Sequence, residues 1–219
     1  MKAVILLICS LIGYLFGSIP TSIVIGKIFF KKDIREYGSK NAGGTNAGRV
    51  FGKKVGLIVI IIDIIKTIIP IIAAYFICKY TSLNNYGVTE YAYQFSAIFC
   101  VIGHCFPIFA QFKGGKGVSS FAAIIFCTNW LLTIIGLCIF FLVLKLKKYV
   151  SLSSISCALI LPIIALVFAI VNLPIGMYYA SYSYFYTLTI AISGILLIIM
   201  HRSNIKRLIN HEERKIKWM

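Results

Sequence analysis

Residues 118–144 read VSSFAAIIFCTNWLLTIIGLCIFFLVL, 27 positions without one charged side chain. A hydrocarbon core about 30 Å thick is crossed by roughly 20 helical residues at 1.5 Å each. The run is long enough to enter a membrane, and its flanks decide how. Lys113 and Lys116 precede it, and Lys145, Lys147 and Lys148 follow it. Basic residues collect on the cytoplasmic side of a membrane protein, so both ends face the same side and one crossing is ruled out. A hairpin is expected, turning near Thr128-Asn129-Trp130, where polar residues and an interfacial tryptophan interrupt the apolar pattern. Each arm is then short, roughly 10–14 residues, and needs tilt, local thinning or cover by neighbours.

Outward from this hairpin lie five more apolar runs: Ala3–Ile25, Val55–Cys78, Tyr91–Phe112, Ile155–Val171 and Phe185–Met200. Segment 27–54 between the first two holds eight basic residues, and the tail after Met200 holds six. With the five around the hairpin, 19 of the 22 Lys+Arg are placed on one side, while the links around 80–90 and 172–184 carry none. The expectation is an all-α integral membrane protein with seven transmembrane helices, the N-terminus outside and the C-terminus cytoplasmic. The helices run approximately over 3–25, 55–78, 91–112, 118–128, 131–144, 155–171 and 185–200, in one polytopic domain covering 1–219. The first run is too long for a signal peptide and leads into a hydrophilic segment rather than a cleavage site. Tyr178, Tyr179, Tyr182, Tyr184 and Tyr186 suit an aromatic belt on the outer side.

Composition agrees. The chain is 60% hydrophobic and only 13% charged, with a formal charge of +16. Soluble domains are about 45–50% apolar, so a soluble module, a disordered tail and a disulfide scaffold are excluded. The basic residues sit in short segments between apolar runs, which speaks for topology and against nucleic acid. Seven cysteines without a CxxC pair read as small apolar packing residues. No heptads and no internal repeat of a duplicated transporter are present.

The inner segments carry the candidate chemistry. The first, GSKNAGGTNAGR over 38–49, combines four glycines, two hydroxyls, two asparagines and Arg49. Close backbone N–H groups and a guanidinium fork suit a phosphate; a flexible loop capping the next helix is the alternative. The second contains His104 and then Lys113-Gly114-Gly115-Lys116-Gly117 ahead of an apolar helix, where free N–H groups, a helix dipole and a lysine favour an anion. It is not a nucleotide loop, since the leading glycine of that motif is absent and Gly117 stands where Ser or Thr is required. His104 has no metal-ligand partner at useful spacing and reads as a packing or capping residue. In the third segment, hydroxyls of Ser151, Ser153 and Ser154 suit capping of the next helix. In the fourth, His201 and Asn204 stand at i and i+3 and share one helix face, beside basic residues suited to anionic lipid. Asp63 and Lys66, also i and i+3, lie inside an apolar run, where they form an ion pair or serve the chemistry.

These segments resemble the acyl-phosphate:glycerol-3-phosphate acyltransferases, the PlsY-type family. The pattern GSxNxGxTNxxR is matched by Gly38, Ser39, Asn41, Gly43, Thr45, Asn46 and Arg49. GHxFPxFxxFKGGKGV is matched from Gly103 through Val118, YVSLxS by Tyr149–Ser154, and HxxNIxRL by His201–Leu208. The resemblance covers nearly the whole chain and implies seven helices with a cytoplasmic-side site in a bacterial inner membrane. It implies transfer of a fatty acyl group from a long-chain acyl-phosphate to the 1-hydroxyl of glycerol 3-phosphate, giving lysophosphatidic acid and phosphate. No cofactor, metal, nucleotide or nucleic acid is implied. Membrane lipids surround the chain, and an acyl-phosphate-producing enzyme is a pathway partner.

By position, Ser39, Arg49, Lys116 and Ser154 look like glycerol 3-phosphate anchors, completed by His201 and Asn204; His201, Asn204 and Ser39 are the catalytic candidates. Gly114, Gly115 and Gly117, with Asn41, Gly43, Thr45 and Asn46, look like the acyl-phosphate site. Glu213, Asp63 and Lys66 are structural by this reading. His201 as general base and a substrate phosphate as proton acceptor both stand. The chain departs from the family pattern at Lys40 and His211, where glycine is usual, and at the small pair Ala47-Gly48. A CoA-dependent acyltransferase with His-x4-Asp has no support, because positions 109, 206 and 216 are Phe, Lys and Ile. A small anion transporter or channel is the alternative.

Overall fold

The computed structural model describes residues 1–173 and 183–216, so Tyr178, Tyr179 and Tyr182 of the expected belt lie outside the described residues. Among the described residues the architecture is all-helical: α1 Lys2–Gly17, α2 Thr21–Phe30, α3 Gly44–Val50, α4 Lys53–Tyr80, α5 Thr89–Cys105, α6 Val118–Thr128, α7 Trp130–Lys147, α8 Val150–Ile170, α9 Tyr184–Met200 and α10 Arg202–Ile209. The chain packs into two compact units, Met1–Ile124 and Ile125–Met219.

Five segments are long and apolar enough to cross a membrane: Lys2–Phe30, Lys53–Tyr80, Thr89–Ala110, Trp130–Lys147 and Val150–Ile170. A sixth is α9 with α10, bent by 60° between them. Of the two expected short arms, the first forms over its expected 118–128, and the second runs beyond its expected 131–144. α6 has 11 residues, about 16 Å of helix, whereas α7 has 18. Asn129 interrupts the run, its Oδ1 accepting the Leu132 N–H at 2.9 Å as an N-cap.

Two expected helices are also shorter than their apolar runs. The run 3–25 breaks at 18–20, because Pro20 has no N–H to continue the ladder and the Ile19 carbonyl accepts from Lys66 Nζ at 2.6 Å. The run 91–112 stops at Cys105, after which Pro107 opens a turn with Gln111 and Phe112 at φ 57° and 58°. Apolarity places a segment in the membrane but does not make it helical throughout.

The packing is that of a membrane protein. Leu7 and Leu57 are 68% and 58% exposed, while Asp63, Thr67 and Gln94 are at most 2% exposed. In the first unit α1 lies directly on α5, where a Cβ on Gly13 or Gly17 would run into the main chain of Ser96 or Cys100. Small residues allow such contact where lipid gives helices no hydrophobic reason to associate. In the second unit Gly194 of α9 meets the Ala158 carbonyl of α8, and Cys157 Sγ lies 3.5 Å from the Gly136 carbonyl of α7. All seven cysteines are free, six of them buried.

Candidate active site

The loop between α2 and α3 is built around one buried side chain. Asn46 is 1% exposed; its Oδ1 accepts the Ser39 N–H at 2.8 Å. Its Nδ2 faces the carbonyls of Tyr37 and Asn41 at 3.0 Å and of Ile34 at 3.2 Å. The carboxamide is thus committed to the loop, and what the loop presents outward are Ser39, Thr45 and Arg49, all exposed. α3 rests closely on α4, since a Cβ on Gly56 would come within 2.6 Å of Gly48 Cα. Gly44 and Gly48 of the first segment therefore serve the contact with α4. Lys40, at φ 58°, occupies a left-handed position where glycine is favoured.

Asp33 and Arg35 brace this loop; of the two, only Arg35 enters the sequence analysis, as one of the eight basic residues of segment 27–54. Arg35 meets Asp33 twice, Nη2 to Oδ2 at 2.7 Å and Nε to Oδ1 at 3.0 Å, and Arg35 Nη1 donates to the Ala110 carbonyl at 3.0 Å. The guanidinium thus ties the loop between α2 and α3 to the loop after α5, within the same unit. The Arg35 hydrogen bond lowers the Asp33 pKa to about 2 against some burial, and Asp33 raises that of Arg35. An acidic residue at i−2 to an arginine in a basic segment was the available signal.

The glycine turn differs from its expected form. The Gly115 N–H donates to the His104 carbonyl at 3.0 Å and the Gly114 N–H to that of Cys105 at 3.2 Å. These two amides fold the turn back on the end of α5 and are not open to an anion. Gly117, at φ 79°, leads into α6, and Lys116 is half-buried beside it. Asp63 and Lys66 form the expected ion pair, Oδ1 to Nζ at 2.7 Å, with Thr21 Oγ1 donating to the same oxygen at 2.8 Å. Both are almost fully buried, as an ion pair inside an apolar run must be if paired.

In the second unit the chain bends at His201. Its imidazole is 3% exposed, with Nδ1 2.8 Å from the Leu197 carbonyl. A carbonyl only accepts, so Nδ1 carries a proton, and whenever the ring is neutral its lone pair is on Nε2. One turn on, Asn204 Nδ2 donates to Glu213 Oε1 at 2.8 Å, Ser151 Oγ donates to the same oxygen at 3.2 Å, and Arg207 Nε meets Oε2 at 2.7 Å. Burial pushes the Glu213 carboxyl up, but the Arg207 and Asn204 hydrogen bonds and the Arg207 charge outweigh it and hold it below its ordinary value of 4.5. α10 ends in a Schellman turn, Glu212 N–H to Arg207 carbonyl and His211 N–H to Leu208 carbonyl. His211 sits at its left-handed position, φ 59°, so the departure from glycine keeps the geometry that delivers Glu213.

The serines of α8 do not cap it. Its N-cap is Tyr149, without a side-chain bond, and Ser153 and Ser154 donate to the carbonyls of Tyr149 and Val150 one turn back. Positioning roles for Asn46, Ser151, Arg207 and the Asp33–Arg35 pair were absent from the sequence reading.

A family profile described as Glycerol-3-phosphate acyltransferase matches residues 7–211. A glycerol-3-phosphate acyltransferase of Listeria monocytogenes serovar 1/2a is 42% identical over 214 residues, 98% of each chain. One of Staphylococcus aureus strain Newman is 37% identical, covering 98% of this chain and 99% of its own. Among solved structures, the glycerol 3-phosphate form of PlsY, an integral membrane glycerol 3-phosphate acyltransferase, superposes with a TM-score of 0.81 at 30% identity, covering 97% of this chain and 96% of that one. A lysophosphatidic acid form of the same enzyme gives 0.78 at 29% identity, covering 97% of this chain and 95% of that one.

Proposed function

This chain belongs to the glycerol-3-phosphate acyltransferase family, and from that premise we propose that it moves a fatty acyl group from a long-chain acyl-phosphate to the 1-hydroxyl of glycerol 3-phosphate. The hydroxyl oxygen bonds to the acyl carbon, the acyl–O–phosphate bond breaks, and the departing phosphate takes the hydroxyl proton. Lysophosphatidic acid and inorganic phosphate are the products, in the first acylation of bacterial phospholipid synthesis. The solved relative's two forms, with glycerol 3-phosphate and with lysophosphatidic acid, support that substrate and product. The full GHxFPxFxxFKGGKGV stretch supports the acyl-phosphate donor.

The observation that carries the reading is His201. With its Nδ1 proton fixed on the Leu197 carbonyl, Nε2 accepts a hydrogen bond from the neighbouring 2-hydroxyl of glycerol 3-phosphate and so orients the 1-hydroxyl, whose own proton stays free to pass to the departing phosphate. Asn204, steadied by Glu213, works beside it. By the family pattern alone, Ser39, Arg49, Lys116 and Ser154 are assigned to glycerol 3-phosphate. The acyl-phosphate group is bound by the glycine turn through Lys116 and Gly117 at the start of α6, with Asn41, Gly43 and Thr45 contributing. Asn46 shapes that surface from beneath. An activated acyl donor needs mainly positioning and charge balance, which such a set of groups supplies.

The positive-residue distribution supports seven helices with the N-terminus outside and the C-terminus and chemistry on the cytoplasmic side of the bacterial inner membrane. An enzyme making acyl-phosphate is the implied pathway partner. The test is purified protein with labelled glycerol 3-phosphate, given palmitoyl-phosphate or palmitoyl-CoA. Lysophosphatidic acid from the phosphate alone is expected. Product from the CoA ester overturns the donor assignment, and flux of phosphate compounds without a lipid product indicates a transporter.

A further inference from the structure

We propose that His104 is a positioning residue of the glycine turn, its imidazole forming the floor on which Gly115 rests, with the Asp63–Lys66 pair fixing that floor from below. The proposal rests on the reading of this turn as the acyl-phosphate site. His104 is 6% exposed and meets the turn twice. Its carbonyl accepts the Gly115 N–H at 3.0 Å. Its ring edge lies directly against the same residue, since a Cβ on Gly115 would overlap Nε2.

The opposite edge of the ring faces the ion pair. His104 Nδ1 is buried, has no hydrogen-bond partner among the described residues, and lies 3.9 Å from Asp63 Oδ1. That oxygen is already held by Lys66 Nζ at 2.7 Å and Thr21 Oγ1 at 2.8 Å, and Lys66 also grips the Ile19 carbonyl. Asp63, Lys66, Thr21, His104, Gly114 and Gly115 line one small cavity of about 10 Å³. A rigid ring thus stands between a fixed carboxylate and a glycine backbone. The break in the first span, the middle of α4 and the glycine turn are joined through it. A displacement of about 1 Å at a reacting group can cost on the order of 100-fold in rate, so a floor of fixed height matters to a turn that holds a reacting phosphate.

The geometry makes a compensation test. Gly115→Ala should lower kcat/KM for palmitoyl-phosphate on the order of 100-fold, because its methyl meets the rigid ring. Combining it with His104→Asn, which keeps a polar atom toward Asp63 but clears the ring edge, should recover about tenfold of that loss. His104→Asn alone should raise the KM values for palmitoyl-phosphate and glycerol 3-phosphate together, more than it lowers kcat, because Lys116 of the same turn is assigned to both. Gly114→Ala is the control, since its methyl would meet the His104 and Cys105 carbonyls and the Pro107 ring rather than the imidazole; His104→Asn should not rescue it. Thermal unfolding of the same variants reads the overlap independently of turnover, and the double variant should melt above Gly115→Ala.

A double variant no better than Gly115→Ala in both readouts, or equal rescue of Gly114→Ala, overturns the proposal. A wild-type protein inert toward palmitoyl-phosphate defeats the donor reading instead, and the melting comparison still decides whether the ring sets the turn.

Discussion

The loop around Ser39 in the first unit and the bend at His201 in the second are held by opposite chemistry. Asn46 organises the former through a neutral carboxamide that bonds only main-chain groups. Glu213 organises the latter through a carboxylate tied to three side chains, Asn204, Arg207 and Ser151. A carboxamide is indifferent to pH and intolerant of any change in its donor–acceptor pattern. A carboxylate tolerates loss of one partner but depends on its charge. Each region that carries a proposed catalytic group is thus held by a different device, with a different failure mode.

The largest expected effects fall on the groups these devices hold. His201→Ala and Ser39→Ala should each lower turnover by about 100-fold or more, with unchanged elution and melting of the purified protein. Near-normal turnover for either would break the link between the two regions and the chemistry. Asn46→Asp comes next. It keeps the acceptor for Ser39 but sets an anionic oxygen against three carbonyls, so a loss of about 3 kcal/mol and a large fall in activity are expected. Glu213→Gln, by contrast, keeps shape and loses charge. A cost of about 1–2 kcal/mol and roughly a tenfold fall in kcat should result. Equal sensitivity of the two variants would erase the distinction.

Acid sharpens the same contrast. The Glu213 pKa is depressed in the folded state, so its contribution is complete above the ordinary value of 4.5 and disappears as pH falls through the lower folded value. Asp33, ordinarily 3.8 and held to about 2, follows the same sign over a more acidic window. Hydrogen exchange during acidification should therefore release the tail after Asn210 first, then the Asp33–Arg35 brace. The bonds made by Asn46 should be unaffected until the fold fails. The smallest effect belongs to Lys40 and His211, both left-handed at φ 58° and 59°. Lys40→Gly and His211→Gly should each stabilise by about 0.5 kcal/mol, relief of the Cβ penalty being partly offset by a freer unfolded chain. Melting temperatures of the two variants check this, one in each region.

Much of this was legible in the sequence. The apolar runs located the long helices, and the i, i+3 spacings of Asp63 with Lys66 and of His201 with Asn204 placed each pair correctly on a helix face or at its start. What stayed hidden depends on bonds between residues far apart in sequence or on main-chain geometry. Apolarity in 3–25 and 91–112 gave no sign that Pro20 and Pro107 would stop the helix. A glycine turn suggested open N–H groups, yet those of Gly114 and Gly115 return to α5. Asn46 looked like a ligand-binding amide because nothing in its type reveals that four main-chain groups surround it. The departures at Lys40 and His211 became intelligible only once their φ values placed them at positions that favour glycine.

The most direct test of the account is product balance. Purified protein given palmitoyl-phosphate and glycerol 3-phosphate should release inorganic phosphate and form lysophosphatidic acid one for one, with neither product from His201→Ala. Phosphate released without lipid, or lipid formed without phosphate, would contradict it.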